Sequence, residues 1–211
     1  MKWNTMGKVT VLVAGAAIAG LLAGCRVHVD KGSNGEEKTV QVDTPFGGVH
    51  VNTDQVTAAD IGLPVYPGAQ AISKDGKHKS ADIHMGFGEW ELRVKAASFS
   101  TPDSEDKVSE FYRKALGRYG DVIACNDGKP VGTPVTTSDG LSCAENGHPD
   151  VSIDDHSESY AYKAGDKGYQ LKAGSKRHQH IVGFEGSHPG ETRFELVVLD
   201  MPATGGAKDS N

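Results

Sequence analysis

The chain has 211 residues, with 22 lysines and arginines against 28 aspartates and glutamates and a formal charge of −6. An acidic chain without a basic stripe lacks the counter-ion grip that nucleic acid requires, so nucleic acid is excluded as a partner. The length suits one domain and a tether, while 7% aromatic residues and 27 glycines predict a modest core with many turns.

At the N-terminus Lys2 and Lys8 flank a short polar start, and residues 9–22 form a run of Val, Ala, Gly and Leu. This is a charged region followed by an apolar one, shorter than the roughly 20 residues a membrane-spanning helix needs. The run ends in Leu22-Ala23-Gly24-Cys25. That phrase resembles the bacterial lipobox, in which a cysteine thiol is joined to diacylglycerol and the peptide is cut just before it. The resemblance implies that residues 1–24 are a removable signal peptide and that Cys25 is the lipidation site. It also implies a chain held at a membrane of the bacterial cell envelope. Arg26 stands where aspartate favours inner-membrane retention in enterobacterial lipoproteins, which points to the outer membrane, facing the periplasm.

Assigning Cys25 to lipid leaves Cys125 and Cys143 to pair. A disulfide suits an exported protein, and the segment between them is rich in Gly, Pro, Asp and Thr with little apolar periodicity. Neither a redox Cys-x-x-Cys nor a zinc-ribbon spacing is present.

Three alternating segments follow the anchor: Val27-His28-Val29, Val40-Gln41-Val42 and Val49-His50-Val51. Alternation predicts half-buried strands, and Pro45, Gly47 and Gly48 predict a hairpin between the last two. The next phrase, Ile61-Gly62-Leu63-Pro64-Val65-Tyr66-Pro67-Gly68-Ala69, has two prolines that exclude a helix, with Leu63, Val65 and Tyr66 as an apolar stopper. Together with the later segment Thr101 to Tyr119 it resembles a group of uncharacterised bacterial lipoproteins and secreted proteins with a Pro-Val-Tyr-Pro-Gly-Ala-like entry, a resemblance over about half the chain that implies no activity.

Trp90, Leu92, Val94 and Ala96 alternate with Glu91, Arg93 and Lys95, predicting a strand with the first set buried and the second in water. Residues 81–87 pair with it across Gly88. A helix comes next: Thr101 caps it, Pro102 takes its first position, and Asp103, Glu105 and Asp106 oppose its dipole. Val108, Phe111, Tyr112, Ala115, Leu116 and Tyr119 make one apolar face, and Gly120 ends it. Three further strands are predicted at residues 169–173, 178–184 and 193–199.

These elements predict an α+β fold: a mainly antiparallel sheet with one principal amphipathic helix on one face, preceded by a small β-meander. The chain divides into a leader (1–24), a lipidated tether with a β-hairpin (25–60), the α+β domain (61–203) and a disordered tail (204–211).

No Gly-x-Ser-x-Gly elbow, His-Glu-x-x-His, P-loop or dinucleotide fingerprint occurs. His178 and His180 stand two apart on a predicted strand and point to one side, so they are the candidate metal ligands, with Asp154-Asp155-His156 as a completing loop. Otherwise they are solvated or hydrogen-bonded strand residues whose replacement by Gln costs little. Residues 104–117, with Phe111-Tyr112-Arg113 and Leu116-Gly117, resemble the helix of a glyoxalase or bleomycin-resistance module. That resemblance implies a metal-dependent enzyme using surface histidines. The main reading is a non-catalytic binding or structural module that requires no cofactor. Its partners are the membrane, through the lipid at Cys25, and an envelope protein or polymer.

Overall fold

The computed structural model describes residues 25–31, 37–53, 55–74, 77–143, 151–155, 158–162, 168–186 and 188–202. The leader, His156 and the tail 204–211 lie outside them. The chain begins with β1 (Arg26–Lys31), β2 (Glu37–Thr44), β3 (Gly47–Thr53) and the one-turn helix α1 (Ala58–Ile61). Then come β4 (Gln70–Ala71), β5 (Ser73–Lys74), β6 (Lys77–His78), β7 (Ser80–Phe87), β8 (Trp90–Thr101) and helix α2 (Glu105–Leu116). A 3-10 turn (Gly117–Tyr119) leads to β9 (Val122–Asn126), β10 (Lys129–Pro130), β11 (Val151–Asp155) and β12 (Glu158–Tyr162). The last strands are β13 (Tyr169–Gly174), β14 (His178–Phe184) and β15 (Thr192–Asp200).

One 11-stranded sheet runs β1-β2-β3-β7-β8-β15-β14-β13-β9-β10, with β4 added beside β8, and every pairing in it is antiparallel. The first three strands pair in chain order and continue into this sheet. Residues Gly47 to Thr53 of β3 pair with Phe87 back to Ala81 of β7, which makes the first three strands part of the main sheet.

Helix α2 lies over the β8-β15-β14-β13-β9 half. Its Val108, Tyr112 and Leu116 recur at four-residue spacing and are buried against Phe99, Phe194, Leu196, Val182 and Leu171. The helix starts later than the sequence suggests. Thr101 is the last residue of β8, paired with Thr192, and its hydroxyl accepts the Asp103 N–H at 3.4 Å. Ladder pairing holds Thr101 extended, so the chain bends at Pro102 and Asp103 and Ser104 takes the cap position. Asp103 then ties three elements together. It accepts hydrogen bonds from Tyr66 Oη and Lys107 Nζ, both at 2.9 Å, while its carbonyl accepts from Thr192 Oγ1 at 2.7 Å.

The segment after α1 slides under this helix. Leu63 and Tyr66 are buried as expected, but Val65 faces solvent. Tyr112 Oη pins the segment by accepting the Tyr66 N–H and donating to the Pro64 carbonyl, each at 3.1 Å. The chain can turn there because Gly62 adopts φ +80°, and a Cβ at that position would meet Tyr119 Oη at 2.6 Å.

The opposite face of the sheet also buries a core: Val51, Ile83, Leu92, Val94, Ala96, Ile181, Val197 and Leu199 form one cluster. Among the described residues no helix belongs to that cluster, yet Ile83 and Leu92 are each 2% exposed. The side lined by this cluster is the sheet's inner face, and the side under α2 is its outer face.

Candidate functional site

Directly opposed residues of antiparallel strands share a face, so the register places His28, Gln41, His50, His84, Arg93, Asp200 and His178 in one transverse row. It runs across the outer face, the side that α2 covers farther along. Each histidine in it has its own carboxylate: His28 with Asp30 at 3.3 Å, His50 with Asp43 at 3.1 Å, His84 with Glu91 at 2.8 Å, and His178 with Asp200. The His50 and His84 rings meet edge to face, with centroids 6.1 Å apart. Arg93 bonds to Glu91, and Lys95 faces Asp82 at 3.7 Å.

Two of these carboxylates, Asp43 and Glu91, are held in their charged form by their partners. Hydrogen bonds from His50 and then Gln41 depress the pKa of Asp43. Arg93 and, less strongly, His84 do the same for Glu91. The result is a belt of paired histidines and carboxylates across one sheet face.

At the end of that belt His178 and His180 project to the same side of β14, their ring centroids 4.9 Å apart. Their surroundings differ sharply. His178 is exposed and its Nδ1 engages Asp200. His180 is not a surface residue: it is 3% exposed, because α1 and the 3-10 turn close over it and Tyr119 stacks on its ring. Burial, with His178 and Arg118 nearby, pushes its pKa down to about 4, opposed by a hydrogen bond with the Ile61 backbone. Its Nδ1 has no partner among the described residues. Arg118 reaches over the cluster, bonding to the Gly62 carbonyl and, at 2.9 Å, to Tyr119 Oη.

The two histidines proposed as ligands thus already have other roles. Among the described residues no group of three or more His, Cys, Asp or Glu side chains is arranged to hold a metal ion.

Cys125 and Cys143 are joined, and Leu141 and Ile123 pack around the bridge. Cys25 is exposed and free, one residue before β1.

The inner face carries polar groups that alternation alone would place in water. Lys172 is 1% exposed, and Gln170 and Gln179 are buried beside it. Glu195, opposite Gly183 and Ser98, has its pKa raised to about 7 by burial and then by Glu185, against a hydrogen bond from Ser98. Two-sided burial of β13 to β15 produces this, and one strand's pattern cannot reveal it.

The histidine row is the feature that sequence reading missed. Its trace is a histidine between two apolar residues on three strands, Val27-His28-Val29 on β1, Val49-His50-Val51 on β3 and Ile83-His84-Met85 on β7, and only the register aligns them. No family model matches the chain, and neither a curated protein nor a solved structure matches it.

Proposed function

We propose that this chain is a lipoprotein of the bacterial envelope, anchored through Cys25 and acting as a non-catalytic binding or structural module. The observation that carries the reading is the division of labour among the cysteines. Cys125 and Cys143 bond to each other, whereas Cys25, directly after Leu22-Ala23-Gly24, is free and exposed. A disulfide belongs to an oxidising compartment, and a free surface thiol at the end of a lipobox-like phrase is what acylation needs. Arg26 in place of aspartate supports the outer membrane as the site.

The proposed architecture is α+β, with α2 as the principal amphipathic cover and β1 to β3 as a meander leading into the sheet. The polar histidine row is the proposed contact with an envelope protein or polymer, since its side chains spread across a broad strand surface.

The test is to express the full chain in a bacterial host and weigh the product. A chain starting at acylated Cys25 that enters the detergent phase is expected, and Cys25→Ala should abolish both properties. A wild-type product that stays aqueous and lacks lipid mass overturns the proposal.

A further inference from the structure

Exposed aromatic side chains concentrate at one end of the sheet. Phe46 is 82% exposed at the β2–β3 turn, and Phe87 and Trp90 flank the β7–β8 turn with ring centroids 6.0 Å apart. The register joins the two turns: Thr44 opposes Gly47, Gly47 opposes Phe87, and Phe87 opposes Trp90. Phe87 lies so close over Gly47 that a Cβ there would stand 2.5 Å from Phe87 Cδ1.

The same end holds the start of β1, where Arg26 opposes Asp43 and Cys25 comes one residue earlier. Strands lie about 4.8 Å apart, so the ends from β1 to β8 span roughly 19 Å. An acyl anchor on Cys25 therefore leaves almost no slack. The strand begins at Arg26, which holds this end of the sheet within a residue or two of the lipid surface.

We infer that Phe46, Phe87 and Trp90 form a membrane-contacting tip that seats in the headgroup layer of a phospholipid bilayer beside the anchor. This rests on the lipoprotein reading above. Aromatic rings favour that layer because their apolar bodies leave water while the indole N–H keeps a polar partner. A soluble monomer gains nothing from a cluster of exposed rings, whereas apolar contact adds a second attachment to an acyl chain. Glu89 and Glu91 share the tip, so its contact does not depend on anionic lipid.

The experiment exploits Trp90, the one tryptophan after residue 24. The purified processed protein is placed with phosphatidylethanolamine and phosphatidylglycerol vesicles carrying brominated acyl chains, and its intact mass is read on the same sample. The expected result is an acylated mass with Trp90 emission blue-shifted and mostly quenched. Phe46→Ser should reduce the quenching with acylation and melting temperature unchanged. An acylated protein whose Trp90 emits as in water, or is blue-shifted without quenching because another protein or a second copy covers it, overturns the tip while sparing the lipoprotein reading. Quenching in a protein without lipid mass supports the tip and overturns the lipoprotein reading. Loss of both signals overturns both.

Discussion

The His180 ring lies flat on the Tyr119 ring, with centroids 3.5 Å apart and planes 12° from parallel. Tyr119 in turn donates its hydroxyl to the Gly62 carbonyl at 2.6 Å. The stack thus joins the middle of β14 to the turns after α1 and α2. The neighbouring His178 shares the strand but none of this packing.

Replacing the two histidines should therefore have unequal effects. His178→Gln removes an exposed contact with Asp200 and should change stability by no more than about 0.5 kcal/mol. His180→Gln loses the stack and leaves a long amide in a buried slot, costing about 2 kcal/mol. Urea titration of both variants measures this, and equal midpoints for the two would contradict the arrangement.

Two perturbed groups, the buried His180 and the partly buried Glu195, pull stability in opposite directions with pH. For His180 the folded value, about 4, lies below the usual 6.5. Its contribution is complete above pH 6.5 and is lost as pH falls towards 4, on the order of 3 kcal/mol in all. Glu195 has a folded value of about 7 against the usual 4.5. Its contribution is present below 4.5 and lost as pH rises to 7. Between pH 4.5 and 6.5 the two slopes oppose each other. His180→Phe should make stability fall as pH rises through this window, and Glu195→Gln should make it climb more steeply. Glu195→Gln should also stabilise by about 2 kcal/mol at pH 8 and little at pH 4, a sum discounted for partial exposure. Melting curves at half-unit pH steps supply the readout. Parallel profiles for both variants and the wild type would show that neither group is perturbed.

Tyr112 Oη serves two backbone groups, the buried Tyr66 N–H and the half-buried Pro64 carbonyl. Tyr112→Phe keeps the ring and strands both partners, so it should cost about 1–3 kcal/mol. Hydrogen exchange at the Tyr66 amide should accelerate beyond the global change. Unaltered protection of that amide would mean the bond is not made.

The Cys125–Cys143 bridge closes a loop with a sequence separation of 18. Replacing both with Ala should lower stability by about 3 kcal/mol through the released chain entropy, with a further loss from the Leu141 packing. Denaturation with and without reductant checks it. Reduction should destabilise the wild type and leave the double variant untouched.

Local pattern was enough to place several strands. Alternation around Leu92 and Val94 marks β8, and the turn residues Pro45 and Gly88 mark two hairpins, because period and turn chemistry are properties of neighbouring residues. The cysteine count likewise singled out the pair that the structure joins. The same local view extended the helix back to Thr101, where pairing with Thr192, 91 positions away by number, wins over a favourable cap.

What the sequence alone determined, then, is the strand-rich composition, the turns and which cysteines were available to bond. The tertiary structure decided which faces meet. It buried His180 under Tyr119 while leaving His178 in solvent, buried Lys172 and shielded much of Glu195 on the face away from α2, and lined up His28, His50 and His84. The physical reason is register. A strand's pattern shows which residues share its two sides, but burial and neighbours across strands depend on pairings far apart in sequence, and on the curvature that follows once eleven strands are joined.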